Sequence, residues 1–184
     1  NQVVVDLRGA EQLVCGGDEV AGPERPLEAE HVGAEEALEL RGFDLANMTL
    51  VKGDTGWIVF DPLTAKETAK AALDFINEKV EKRPVVAVVY SHSHADHFGG
   101  VRGVVDEADV KSGKVQVIAP VGFMKYAVSE NVYAGNAMSR RLFYQYGVLL
   151  PRSPFGHVDQ SIGKNTAAGN LGLIPPNRII EKDI

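Results

Sequence analysis

Six consecutive apolar residues, Val85-Val86-Ala87-Val88-Val89-Tyr90, constrain this chain most. A strand with one wet face alternates polar and apolar side chains. An unbroken run instead suits a strand buried on both faces, in a sheet covered by helices. The flanks agree with that reading. Before Pro84, Ala69, Ala72, Leu73, Ile76 and Val80 recur at helical spacing. Thr64 and Glu67 have the spacing of a capping box, and Lys79, Lys82 and Arg83 suit a helix C-terminus. Upstream, Met48 to Val51 and Gly56 to Phe60 read as a hairpin around Lys52-Gly53-Asp54-Thr55, ended by Asp61-Pro62. Downstream come a helical stretch over 101–109, a buried strand over 115–119, and helices over 123–132 and 136–146. Residues 43–146 therefore read β-β-α-β-α-β-α-α, an α/β layered architecture.

The ends of the chain are less regular. In residues 1–41, Val3 to Val5 suit a short strand, Gly16-Gly17, Gly22-Pro23 and Pro26 suit loop, and Glu35 to Leu40 suit a helical turn or the approach to a strand. His31, among Glu28, Glu30 and Glu35, reads as a solvated side chain. Over 147–178, glycines and prolines break any period, and the segment is expected as a long loop over the site. Ile179 would open a new element. The expected division is a poorly matched segment 1–41 followed by a catalytic portion 42–184.

Charge and composition exclude several classes. Nineteen Lys and Arg against 25 Asp and Glu give a net charge of −6, which disfavours nonspecific nucleic-acid binding. No run of apolar residues is long enough for a membrane-spanning helix. Cys15 is the single cysteine, so no intrachain disulfide forms. No charged-then-apolar leader stands at Asn1, and the residues assign no compartment.

The chemistry is concentrated in Ser91-His92-Ser93-His94-Ala95-Asp96-His97-Phe98-Gly99-Gly100, directly after the apolar run. Three of the five histidines fall within six residues. At a strand end, alternation would turn His92 and His94 the same way. A turn would then present Asp96 and His97 as a second pair of donors. Imidazoles with a carboxylate are the ligands zinc takes at open sites, and two ligand pairs on one loop can serve two adjacent ions. His92, His94, Asp96 and His97 are thus the expected metal ligands.

His-x-His-x-Asp-His after a strand resembles the metallo-β-lactamase superfamily. That resemblance implies an αβ/βα sandwich with zinc at the edge of two sheets, only part of which this chain would hold. Asp61 matches that superfamily's carboxylate beside the ligands, which would orient the site through hydrogen bonds. Three further blocks resemble its alkyl sulfatases: Gly42 to Leu50, His97 to Gly103, and Glu130 to Arg141. The likeness implies hydrolysis of alkyl sulfate esters of the dodecyl sulfate type, two zinc ions per complete site, and a homodimer of long chains. It also implies detergent-degrading relatives that often act outside the cytoplasm. Under it, Asp96 is catalytic, orienting the attacking hydroxide, and Arg140, Arg141 and Asn136 would bind the sulfate. Phe143, Tyr144 and Tyr146 would line an alkyl channel. The family's remaining ligands, glutamates and a further histidine, are expected in segments following Ile184, which would leave the sheet of residues 43–119 with an uncovered apolar face. His157 is a further candidate ligand from the long loop. Two alternatives stand beside this reading: a thioester, lactam or phosphodiester hydrolase of the same superfamily, and an inactive chain that only binds metal.

Overall fold

The computed structural model describes residues 28–31, 37–160 and 166–182. Val3 to Val5 and the glycines and prolines between 16 and 26 lie outside them. Among the described residues, seven strands form one sheet in sequential order. They are β1 (Glu28–His31), β2 (Ala37–Arg41), β3 (Met48–Lys52), β4 (Trp57–Phe60), β5 (Val85–Val89), β6 (Gln116–Pro120) and β7 (Arg178–Ile180). The first four run antiparallel as a meander, and β4 to β7 run parallel. Of the stretch 35–40, open to two readings in the sequence, residues 37–40 lie in β2, and the element foreseen at Ile179 is β7.

The crossovers carry α1 (Lys66–Lys79), α2 (Glu107–Lys111), α3 (Phe123–Val128) and α4 (Gly135–Tyr146). The helix expected over 123–132 forms as α3 and continues through a π-helical turn, Ser129–Tyr133, before α4 begins. Crossovers between parallel strands are right-handed, and β4 to β7 are laid down in one direction. Every crossover then falls on the same face. Leu40, Met48, Leu50, Trp57, Val59, Val88 and Val117 fill that face, beneath Ala69, Ala72 and Ile76 of α1. This corrects the expectation of cover on both sides of β5. Val88 is buried, whereas Ala87 and Val89 are only half-buried. With Val51 and Ile58 half-buried and Phe60 exposed, they line an apolar second face without helices among the described residues.

The capping box does not form. The α1 cap is Ala65, with no side-chain bond to the helix. The Thr64 hydroxyl donates instead to Asp44 (3.0 Å), and Glu67 accepts from the backbone N–H (2.9 Å) and side-chain amide of Asn170. Asp44 is fully buried. It also accepts from the N–H groups of Leu45 (2.7 Å), Thr64 (3.0 Å) and Ala167 (3.1 Å), and the Thr68 hydroxyl lies 3.0 Å away. One carboxylate thus ties the loop after β2 to the start of α1 and to the returning segment at 167. Removing it would strand several buried donors together. Asp44→Ala is expected to lower stability by about 3 kcal/mol, read from the midpoint of urea unfolding. A midpoint equal to that of the unaltered chain would show that this carboxylate does not hold the segments together.

Candidate metal centre

The parallel register sets the site. Phe60 pairs with Val89, so Asp61 leaves β4 beside Tyr90 and Ser91 as they leave β5. The Asp61 N–H donates to the Val89 carbonyl (3.0 Å). The C-terminal edge of parallel strands is the usual place for a ligand in such sheets. Asp61 (φ 52°) and Leu63 (φ 58°), on either side of Pro62, adopt left-handed backbone that non-glycine residues avoid. The strain is held by fixed partners. The Ser91 N–H (2.8 Å) and hydroxyl (2.6 Å) both donate to the Asp61 carboxylate.

The histidine loop is anchored at each end by an aromatic ring. Tyr90, before it, stacks on Phe123 with centroids 5.0 Å apart, and Phe98, after it, meets Phe123 edge-on at 5.6 Å. The return of the chain needs close backbone approach. A Cβ on Gly99 would lie 2.2 Å from the Thr64 carbonyl oxygen, and one on Gly100 would lie 2.2 Å from that of Pro62. Gly99-Gly100 thus lets the loop lie directly on residues 62–64.

Strand β5 ends at Val89, so alternation along a strand is not what gathers the imidazoles. The bend after Tyr90 and the short turn Ala95–His97 do so instead. The His92 ring lies 4.6 Å from that of His94 and 4.1 Å from that of His97, between centroids. Asp61, His92 and His97 each offer a ligand atom, all within 4.8 Å of one another. Asp96 is beside them, its carboxylate 3.3 Å from His97 Nε2.

Hydrogen bonding fixes which nitrogen each ring leaves free. Ser91 gives its one hydroxyl proton to Asp61, since a carboxylate only accepts. Its oxygen, 2.9 Å from His92 Nδ1, must then accept from that ring, leaving His92 Nε2 with a lone pair. His94 Nε2 contacts Glu130 at 2.9 Å, which leaves Nδ1. His97 Nδ1 donates to Asp61 at 2.9 Å, which leaves Nε2 once that nitrogen loses its proton. Glu130 is itself placed by the Ser93 hydroxyl (3.1 Å), while Asn131 donates to the Ser93 carbonyl (2.9 Å) and the Ala127 carbonyl (2.8 Å). Asp61, His92 and His97 together fit a divalent metal ion, with His94 and Asp96 beside them.

Burial, followed by the neighbouring charges of His97 and His94, lowers the pKa of His92, so its ring is neutral. Burial works against protonation of His97 too. There the hydrogen bonds to Asp61 and Asp96 outweigh it and raise the pKa to about 9. Burial opposes ionisation of Asp96, but contact with His97 prevails and lowers its pKa.

The other residues singled out by sequence make no hydrogen bond to the histidine cluster. Asn136, Arg140 and Arg141 are exposed on α4, with Asn136 and Arg140 on one face of the helix and Arg141 turned about 100° away. None of them pairs with another described residue. Tyr144 is almost wholly exposed. His157 is buried and is not part of the histidine cluster. Sequence reasoning missed Glu130 and Ser91, which hold His94 and His92. Glu130 lies 36 residues beyond His94, and no local spacing links them.

Comparison with known proteins agrees with this geometry. The profile of the metallo-beta-lactamase superfamily matches residues 41–182. The chain belongs to that superfamily. It is 57% identical over 144 residues to a linear primary-alkylsulfatase of a Pseudomonas species, a match spanning 78% of this chain and 21% of that protein. It is 56% identical over 145 residues to an (R)-specific secondary-alkylsulfatase of a Pseudomonas species, spanning 78% and 22%. The solved structure of a stereoselective inverting sec-alkylsulfatase from a Pseudomonas species superposes with a TM-score of 0.78 at 52% identity, covering 85% of this chain and 25% of that one. The chain therefore spans about a fifth of the length of the curated relatives it matches.

A metal ion binding at His97 Nε2 would have to displace a proton, because the His97 pKa is raised to about 9 while those of His92 and Asp96 are lowered. Binding of zinc at about pH 7.5 is expected to release about one proton per chain, measured by calorimetry in buffers of different ionisation enthalpy. Release of none would mean that His97 takes no part.

Proposed function

We propose that this chain carries the histidine-rich half of a two-zinc centre in an enzyme that hydrolyses alkyl sulfate esters to alcohol and inorganic sulfate. The metal reading rests on the three imidazoles whose outer nitrogens are already tied to Ser91, Glu130 and Asp61. The substrate reading rests on the likeness to two alkylsulfatases across the segment that holds those rings. His92, His94, Asp96 and His97 are the ligands in this proposal, and Asp61 orients His97. When bound, zinc lowers the pKa of a neighbouring water and offsets the charge that builds in the transition state.

The chain's own groups supply the rest. Asp96, held ionised, accepts a hydrogen bond from the attacking water and aims its lone pair at the ester. Arg140 with Asn136, one turn apart on α4, presents donors to the sulfate oxygens, and a guanidinium suits a tetrahedral oxyanion. Arg141, on another face, is the less suitable partner of the pair. An apolar tail would run along exposed rings of α4 such as Phe143. The whole protein in this reading is a homodimer that degrades dodecyl sulfate-type detergents.

Zinc content and turnover test the proposal together. Zinc per chain, measured by plasma emission after gel filtration, is expected to fall in His92→Ala and His97→Ala. Asp61→Asn is expected to weaken zinc affinity by roughly 10- to 100-fold, since it removes only the orienting partner. A longer chain that also supplies the other half of the centre is expected, when zinc-loaded, to release sulfate from dodecyl sulfate and to stop in EDTA. Equal zinc in the histidine variants and the unaltered chain would refute the ligand assignment. Turnover of a thioester in preference to dodecyl sulfate would refute the substrate.

A further inference from the structure

The turn between α3 and α4 joins the histidine loop to the helix that carries Asn136 and Arg140. It is π-helical, closed by the Ala134 N–H donating to the Ser129 carbonyl five residues back (3.0 Å). Isolated turns of this kind recur at functional positions in helices. Two adjacent residues in it, Glu130 and Asn131, both reach the loop. Glu130 uses both oxygens: one meets His94 Nε2 (2.9 Å), and the other accepts from the Ser93 hydroxyl (3.1 Å). The Asn131 amide donates to the carbonyls of Ser93 (2.9 Å) and Ala127 (2.8 Å), so it bridges the loop and α3.

The two sides of the turn are anchored unequally. On one side α3 is fixed, with Phe123 and Ala127 buried and Phe123 stacked on Tyr90. On the other side, none of the 12 residues of α4 is buried, and its first turn has no side-chain cap. A helix of about that length is marginal in water without tertiary packing. Segments with few buried contacts open locally, ahead of the fold as a whole. The start of α4 therefore depends on the turn, and the turn depends on Ser93 and His94.

Metal ligation at His94 Nδ1, the nitrogen that Glu130 leaves free, would fix that ring and with it the Glu130 carboxylate. We propose that Glu130 and Asn131 are positioning residues that couple the metal centre to α4. Ligation at the histidine loop orders the first turns of the helix, and the ordered helix in return tightens the metal site. Such coupling is reciprocal by thermodynamic linkage. It rests on the metal reading above and gives that reading an order of events. The donors of Asn136 and Arg140 take their places for a sulfate group once the metal is bound. The metal-free chain then does not hold an ester that it cannot cleave.

Hydrogen–deuterium exchange of the 184-residue chain, read by mass spectrometry in EDTA and then with zinc, tests the coupling. Zinc is expected to slow the backbone amides of residues 137–146 by about fivefold or more. Asn131→Ala alters a side chain that touches no imidazole, so zinc is expected still to bind. Its α4 rates are expected to stay within about twofold of those in EDTA. Zinc stabilises the whole fold in either chain, so a difference between the two isolates the turn. Glu130→Ala is expected to lose the slowing. Glu130→Gln, whose amide oxygen still accepts from His94, is expected to retain it. Reciprocity supplies a second measurement. Ala137→Gly softens α4 at an exposed residue outside the site and is expected to weaken zinc binding by about threefold, read by calorimetry. Zinc bound without slower exchange, or equal slowing in Asn131→Ala, would overturn the coupling and leave the metal reading standing. So would identical exchange in the two Glu130 variants, or unchanged zinc affinity in Ala137→Gly. Failure of zinc to bind at all would overturn both.

Discussion

The parallel pairing of β4 with β5 is the constraint on which the site depends. It sets the end of one strand beside the end of the next, so Asp61 meets Ser91 directly and His97 through the returning loop. Strands can be paired in many registers, but a slip of one residue would turn Val59 and Val88 out of the core. The hydrophobic core thus fixes the register, and the register fixes the chemistry. The left-handed backbone at Asp61 and Leu63 marks where the chain is bent against its preference to complete this meeting. Such a bend persists only because the surrounding bonds over-determine it.

Much of this arrangement is legible in the amino-acid sequence. The apolar run at 85–90 and the helical spacing from Ala69 to Ile76 report on burial, which local sequence records well. The histidine motif is compact enough that all its members lie on one loop. Long-range partnerships left little trace. Asp44 looks like an ordinary polar residue between Phe43 and Leu45, yet it is fully buried and accepts from residue 167. Thr64 and Glu67 have capping-box spacing, but Asp44 and Asn170 capture their side chains. A local signal lost there to tertiary bonds stronger than the cap it promised.

The one-sided sheet shows the same limit. An apolar run states that both faces of β5 avoid water, but it does not state which element covers each face. The sequential strand order puts all crossover helices on one side. The apolar second face, with Val51, Ile58, Phe60 and Val89, is a surface whose composition asks for cover. Sequence periodicity carries the demand for burial, while topology decides how it is met.

The site's electrostatics link its stability to its ligand. In the metal-free chain, His97 bridges Asp61 and Asp96 as an internal cation, and its pKa of about 9 lies above the ordinary imidazole value. A group whose folded pKa is raised stabilises the fold fully below its unfolded pKa, near 6.5, and less as pH rises through the folded one. That contribution therefore fades between about pH 6.5 and 9. Over the same interval Nε2 gives up its proton and becomes able to ligate. A metal ion there would meet the same two carboxylates that the imidazolium satisfied. Proton and metal thus compete for one nitrogen, and either can balance Asp61 and Asp96. The bond from His97 Nδ1 to Asp61 serves both states, because it holds the ring's orientation while the charge at the other nitrogen changes.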